Sequence, residues 1–356
     1  MTGPGAAIDQ IISYVNSVDK ISDIHLAGGE YICFRQHGDI IKIKENGILD
    51  PELVGQMILH LMHYDQEKYN TFLITRDADF GYVSKENIPY RVNVFFRLNK
   101  PALVMRKING KALDLEMLVS ESMATAIKEH VLSRKKGLYL VTGPTGSGKS
   151  TSLVAMIEYL NQRREEHIIT MEDPIEFIYE PKLCTISQRN IGQDSKSFKA
   201  AIKGAMREDP DIILVGEIRD AETADAALEL SETGHLVFST LHTQNCPATI
   251  NRFISLFPPE LQESVCDRLA TSLIGVQSQM LVKKVGGGRI GIYEFMLNTT
   301  AVRNNIKKRE IPQLANIIET GANYGMISMK KYAENLLAQG KVDEATIEFI
   351  MAENIG

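Results

Sequence analysis

The chain has 356 residues, 44% of them apolar and 24% charged, with 39 lysines and arginines against 45 aspartates and glutamates for a net charge of −6. That length suits about two domains with separate cores, and the acidic balance argues against wholesale binding to nucleic acid. The four cysteines, Cys33, Cys184, Cys246 and Cys266, form no C-x-x-C pair, and Asp9 interrupts the first apolar stretch; no cysteine zinc site, secretory signal or transmembrane segment is expected, and reduced thiols in a cytosol are.

Ala7, Ile8, Ile11, Ile12, Tyr14 and Val15 recur near helical spacing and predict a first helix. Strand-like runs follow at 23–26, 31–35 and 40–43, separated by turns at Ala27-Gly28-Gly29 and His37-Gly38-Asp39. A helix is expected from Pro51 to His63, then strands at 79–83 and 90–97. This set reads as one small α+β domain over 1–108. Asn109-Gly110-Lys111 opens a hinge over 109–117. Beyond it, over 118–356, helices alternate with short apolar strands at 138–141, 167–171, 212–215 and 236–239, and the last sixty or so residues look helical. Near-continuous apolar strands between helices predict a parallel sheet covered on both faces.

Residues 143–150 read GPTGSGKS, the phosphate-loop pattern G-x-x-x-x-G-K-[ST] with every fixed position filled. An apolar strand precedes it and a helix-compatible stretch follows, which is the context the motif requires. Its glycines permit positive φ and close backbone approach, so successive N–H groups can face a phosphate at the positive end of a helix. Gly143, Pro144, Thr145, Gly146, Ser147, Gly148, Lys149, Ser150 and Thr151 are therefore the expected ATP-binding residues. Lys149 is expected to neutralise the β- and γ-phosphates and Ser150 to ligate Mg²⁺.

Asp211-Ile212-Ile213-Leu214-Val215-Gly216-Glu217 reads as a buried strand carrying an acid at its carboxyl end. Such an acid beside a phosphate loop helps hold Mg²⁺; because Gly216 occupies the usual acidic position, Glu217 is expected to act partly through metal-bound water. A third block, ITMEDPIEF at 169–177, places Glu172, Asp173 and Glu176 within five positions, and Glu172 is the candidate base for the attacking water. A fourth, GHLVFSTLHT at 234–243, ends a strand with polar groups. His242 is its candidate γ-phosphate contact and His235 a weaker one, since a lone histidine is more often structural.

These four blocks, in this order and spacing, resemble the Walker A, Asp box, Walker B and His box of the secretion-type hexameric ATPases that power type II secretion and type IV pili. Ser22-Asp23-Ile24-His25-Leu26, with Arg35 and Gly38-Asp39 after it, is similar to the opening of that family's PAS-like domain. The resemblance implies an α/β protein with a PAS-like N-terminal domain, a RecA-like ATPase domain and a helical C-terminal region. It points to the pilus-retraction branch and twitching motility: the chain is short, has no tetracysteine insertion, and carries AVRNNIKK at 301–308, similar to that branch's AIRNLIRE helix, with Asn305 for Leu and Lys308 for Glu. Arg91 and Arg106 match the family's arginines that reach a neighbour's nucleotide; Arg97 has no clean match. The resemblance further implies a homo-hexamer, an inner-membrane platform protein as partner, a paralogous pilus ATPase as a further one, and a cytoplasmic location at the inner face of the membrane. An accessory retraction ATPase, a type II secretion ATPase, a nucleic-acid translocase and a non-catalytic ATP-binding module are the competing readings.

Overall fold

The computed structural model describes residues 3–18, 21–36, 39–108 and 112–353. Packing divides the chain into two units, Met1–Lys111 with Asp173–Ile178, and Ala112–Glu172 with Tyr179–Gly356.

In the first unit, a proline in the first turn starts α1 (Pro4–Ser17), and Ile8, Ile12 and Val15 line its buried face. β1 (Ile21–Ala27), β2 (Tyr31–Gln36) and β3 (Asp39–Ile48) form a meander. Gly28 and Gly29 turn the chain between the first two strands, as expected; His37, Gly38 and the hinge residues 109–111 lie outside the described residues. α2 (Pro51–Leu61) is capped by Asp50, whose carboxylate accepts from the Glu52 amide at 2.7 Å, and α3 (Gln66–Thr75) by Asp65. β4 (Asp77–Val83), β5 (Pro89–Arg97) and β6 (Lys100–Lys107) complete an antiparallel sheet of order β3-β2-β1-β6-β5-β4. α1, α2 and the sheet share one core through residues such as Ile24, Leu26, Met57, Ile58, Tyr90 and Val92. The strand β6 and the helix α3 are additions to the elements expected from the sequence.

The second unit opens with α4 (Leu115–Leu118) and α5 (Glu121–His130). Then come β7 (Gly137–Thr142), α6 (Lys149–Asn161), β8 (His167–Glu172), β9 (Thr185–Asn190), α7 (Phe198–Ala205), β10 (Ile212–Val215), α8 (Ala221–Glu232), β11 (Leu236–Leu241), α9 (Cys246–Ser255) and α10 (Gln262–Ser272). The hairpin β12 (Leu273–Lys283) and β13 (Arg289–Leu297) precedes α11 (Thr300–Lys307), α12 (Gln313–Thr320), α13 (Met329–Ala338) and α14 (Glu344–Glu353). The residues after Leu297 are thus helical, as their pattern predicts. The sheet order is β13-β12-β7-β11-β10-β8-β9. The expectation of a wholly parallel sheet needs one correction. β13 runs antiparallel to β12, because Gly286, Gly287 and Gly288, all at positive φ, fold the chain straight back without a crossover helix.

β7, β11, β10 and β8 are neighbours and parallel. Their carboxyl ends therefore share one edge of the sheet, where open α/β sheets gather ligands. All four cysteines are free thiols. Among the described residues no helix is long and apolar enough to cross a membrane.

Candidate functional site

β7 is buried along its length and ends at Thr142, just before Gly143. Gly143, Gly146 and Gly148 take φ values of 144°, 77° and 91°, and a Ser147 N–H bond to the Pro144 carbonyl at 3.2 Å closes the loop. A Cβ on residue 143 would lie 2.1 Å from the Gln279 main-chain oxygen, so glycine is required there. Gly148 begins α6 in the left-handed conformation and brings no side chain over the helix end. Pro144, Thr145, Gly146, Ser150 and Thr151 are exposed, Gly148 and Lys149 half-buried, and Ser147 buried. The Lys149 ammonium donates to the carbonyls of Gly143 at 2.8 Å and Pro144 at 3.1 Å. An ammonium, an open helix start and glycine amides thus lie together at the end of β7, which suits a polyphosphate.

The acids stand on the neighbouring strands. Val215 lies opposite both Met171 and Ser239, and Leu241 opposite Thr142. Glu172, Glu217, His242 and Gly143 therefore sit at or just past the paired ends of four adjacent strands. Gly216 has a packing reason: a Cβ there would come 3.0 Å from the Met171 carbonyl and 3.3 Å from the Glu172 Cα. A side chain at 216 would crowd the β8 backbone, and the carboxylate stands at 217. Ser239 Oγ donates to the Val215 carbonyl and Thr240 Oγ1 to the Gly216 carbonyl, both at 2.7 Å, fixing the two strand ends that carry Glu217 and His242.

Glu217 Oε2 accepts from Arg219 Nη2 at 2.8 Å, and its Oε1 lies 3.3 Å from His242 Nε2. Burial pushes its carboxyl up, but Arg219, His242 and Lys149 together outweigh that and hold it below the usual carboxylate range. Glu172 is half-buried at the end of β8, with Oε1 accepting from Thr170 Oγ1 at 2.7 Å. Asp173 and Glu176 are exposed and belong, with Asp173–Ile178, to the first unit; the Asp173–Pro174 peptide is cis.

His235 is corrected. It precedes Leu236, which pairs with Gly137 at the start of β7, so it lies at the amino edge, roughly 20 Å along the strand from His242. Its Nδ1 is 2.9 Å from the Leu230 carbonyl, a bond that seals the end of α8.

On the first unit, Arg91 and Arg106 face each other across β5 and β6, and Asp23 stands opposite both Arg106 and Arg35. One cross-strand row thus reads Arg35, Asp23, Arg106, Arg91. Asp23, 2% exposed, accepts from Arg106 Nε at 2.8 Å. Burial pushes its carboxyl up, but Ser22 and Arg106 more than reverse this. Arg97 is paired with Glu30 at 2.7 Å.

Among the described residues no group of three or more His, Cys, Asp or Glu could hold a metal by itself. A hydroxyl at Ser150 with a carboxylate at Glu217 nevertheless suits Mg²⁺, which takes few protein ligands alongside phosphate oxygens and water. Both Glu217 oxygens already have side-chain partners, Arg219 and His242, which favours contact through water. Sequence reasoning missed Arg219, Thr170 and two buried glutamines, Gln277 and Gln279; the i, i+2 spacing of the glutamines within an apolar run was the available signal.

The Type II/IV secretion system protein family model matches residues 6–343. Over 322 residues the chain is 42% identical to the type IV pilus retraction ATPase PilT of Pseudomonas aeruginosa, covering 90% of this chain and 91% of that protein. Over 333 residues it is 41% identical to a twitching motility protein of Neisseria gonorrhoeae, covering 92% and 87%. It matches the crystal structure of the pilus retraction motor PilT with bound ADP at a TM-score of 0.85 and 36% identity, over 96% of each chain.

Proposed function

This chain belongs to the Type II/IV secretion system protein family, and from that premise we propose that it is an ATP-hydrolysing motor that drives type IV pilus retraction, and hence twitching motility, as a homo-hexamer. The observation that carries the reading is the sheet edge on which the glycine loop, Lys149, Glu217, Glu172 and His242 meet. The loop amides and Lys149 take the phosphates, with the ammonium exchanging the Gly143 and Pro144 carbonyls for phosphate oxygens. Ser150, and Glu217 through water, would hold Mg²⁺. When bound, that ion neutralises charge on the β- and γ-phosphates. Glu172 orients the attacking water and accepts its proton as ADP departs from the γ-phosphoryl group. His242 contacts the γ-phosphate from the next strand.

Arg91 and Arg106 come from the adjoining subunit; an arginine supplied in trans is worth roughly 10³–10⁵ in rate. Hydrolysis then depends on how subunits pack, which couples chemistry to movement. The two-unit division supports domains over 1–108 and 118–356 joined through 109–117, with movement about that joint as the stroke. The force goes to an inner-membrane platform protein, with the motor bound peripherally at the cytoplasmic face and a paralogous pilus ATPase as a further partner.

The test uses the Lys149→Ala variant, purified and expressed in place of the native chain. Turnover should vanish and surface filaments should accumulate. Wild-type turnover would overturn the site, and filament loss would overturn the direction of movement.

A further inference from the structure

The floor of the phosphate loop is a buried polar chain that the sequence motif does not include. β12 runs parallel to β7 with Ser278 opposite Thr142, so Gln279 falls beside Gly143. Gln279 is 2% exposed, and each polar atom of its side chain is used. Nε2 donates to the Ser147 carbonyl at 2.9 Å. Oε1 accepts from Ser152 Oγ in α6 at 2.8 Å and from Gln277 Nε2 at 2.8 Å. Gln277, fully buried, in turn accepts from the Tyr139 hydroxyl at 3.2 Å. One amide thus joins the loop, the first turns of the following helix and two strands of the sheet.

We propose that Gln279 is a positioning residue for phosphate binding. A peptide group is planar and trans, so its C=O and N–H point in opposite directions. Drawing the Ser147 carbonyl onto Gln279 turns the Gly148 N–H away from β12. That N–H has no protein partner among the described residues and stands at the start of α6, where the helix offers its amides to an anion. Ser152 and Gln277 both donate to Oε1. That fixes the orientation of the amide, so Nε2 is the atom left to face Ser147. The dependence runs in sequence: Tyr139 and Gln277 orient Gln279, Gln279 orients one peptide, and that peptide presents an amide to phosphate.

This inference rests on the reading of 143–150 as the phosphate loop, and the test keeps the two apart. ADP affinity of the full chain is measured by isothermal titration calorimetry in wild type, Lys149→Ala, Gln279→Glu and Ser152→Ala. Gln279→Glu keeps the shape and the acceptor but removes the donor to Ser147, and should bind ADP about tenfold more weakly at mildly alkaline pH. As pH falls, the introduced acid gains a proton, its O–H replaces the lost N–H donor, and affinity should return toward wild type. Burial raises a carboxyl pKa, which brings that titration into reach. A packing defect has no such recovery. Wild-type affinity at alkaline pH, or an equal deficit at every pH, overturns the proposal. If Gln279→Glu does not fold, Ser152→Ala decides: releasing one anchor of Oε1 should weaken ADP about threefold, and unchanged affinity overturns the proposal. If Lys149→Ala binds ADP as wild type does, the loop assignment itself fails.

Discussion

Gly143 and Gly146 belong to one loop and both hold positive φ, 144° and 77°, yet an added methyl group should affect them very differently. At residue 143 a Cβ would lie 2.1 Å from the Gln279 main-chain oxygen and 2.6 Å from Ser147 Oγ, whereas at 146 it meets nothing within 4 Å. The obstacle at 143 is strand backbone, which cannot rotate aside, and carbon and oxygen must part by more than about 1 Å to reach ordinary contact. A glycine-only conformation costs alanine ~1–3 kcal/mol, and overpacking adds ~1–3 kcal/mol. Gly146→Ala carries the backbone penalty alone, ~1–2 kcal/mol. The gap between the variants is then about 2–3 kcal/mol, worth roughly 5–10 °C in thermal midpoint for a domain of this size. Differential scanning fluorimetry without added nucleotide measures it, and calorimetry with ADP should show binding lost in Gly143→Ala and retained in Gly146→Ala. Equal midpoints and equal ADP affinities would refute the packing of the loop on β12.

Glu217→Gln should bind ATP within severalfold of wild type but turn over at least ~10²-fold more slowly; mixed with Arg91→Ala, itself inactive, it should regain part of the rate, and failure of every mixing ratio to complement would count against arginines acting in trans. His235→Ala should lower stability by ~1 kcal/mol through loss of its bond to the Leu230 carbonyl, with kcat unchanged; a large fall in kcat would return His235 to the site. Glu217 titrates below the usual carboxylate range, so what it adds to stability is present above that range and lost as pH falls through its depressed folded value. Arg219→Gln removes the guanidinium that lowers it, so the acid limb of kcat/KM should move to higher pH than in wild type, while the acid-side loss of stability, which spans the interval between the unfolded and the depressed folded value, should shrink, both read between about pH 3 and 6; coincident acid limbs would refute the pairing.

The elements visible in the sequence were those whose side chains all face one environment. β7, β8, β10 and β11 are buried on both faces and read as apolar runs, and the glycine loop follows β7 in an unmistakable pattern. The missed strands carry polar residues inward. β12 buries Gln277, Ser278 and Gln279, which breaks the run although each has a partner within the protein. β9 carries Gln188, Arg189 and Asn190. β6 was hidden by Pro101, a residue that argues against a central strand. It is tolerated there because it follows a two-residue turn, Leu98-Asn99, with φ of 50° and 58°. The two histidines of 234–243 could have been separated earlier. In a parallel sheet whose phosphate loop follows a strand, only the residue at the carboxyl end of the neighbouring strand is in reach.

The site residues share a property that no motif encodes: each charged group on the sheet edge already has a protein partner. Lys149 is bonded to two loop carbonyls, Glu217 to Arg219 with His242 beside it, and Glu172 to Thr170. A polyphosphate entering here exchanges bonds, so its net gain is the difference between the contacts it makes and those it replaces. For Lys149 that exchange is favourable, because a phosphate oxygen is a much stronger acceptor for an ammonium than a peptide carbonyl. For Glu217 the incoming anion is unfavourable unless a cation comes with it, because the carboxylate is ionised and close enough to the loop to interact with Lys149. The edge therefore favours nucleotide that arrives with its metal. It disfavours bare polyphosphate for a reason that lies in Glu217 and not in the loop. Glu217→Gln should accordingly bind ADP in the presence of a chelator more tightly than wild type does, and the two proteins should converge once Mg²⁺ is restored.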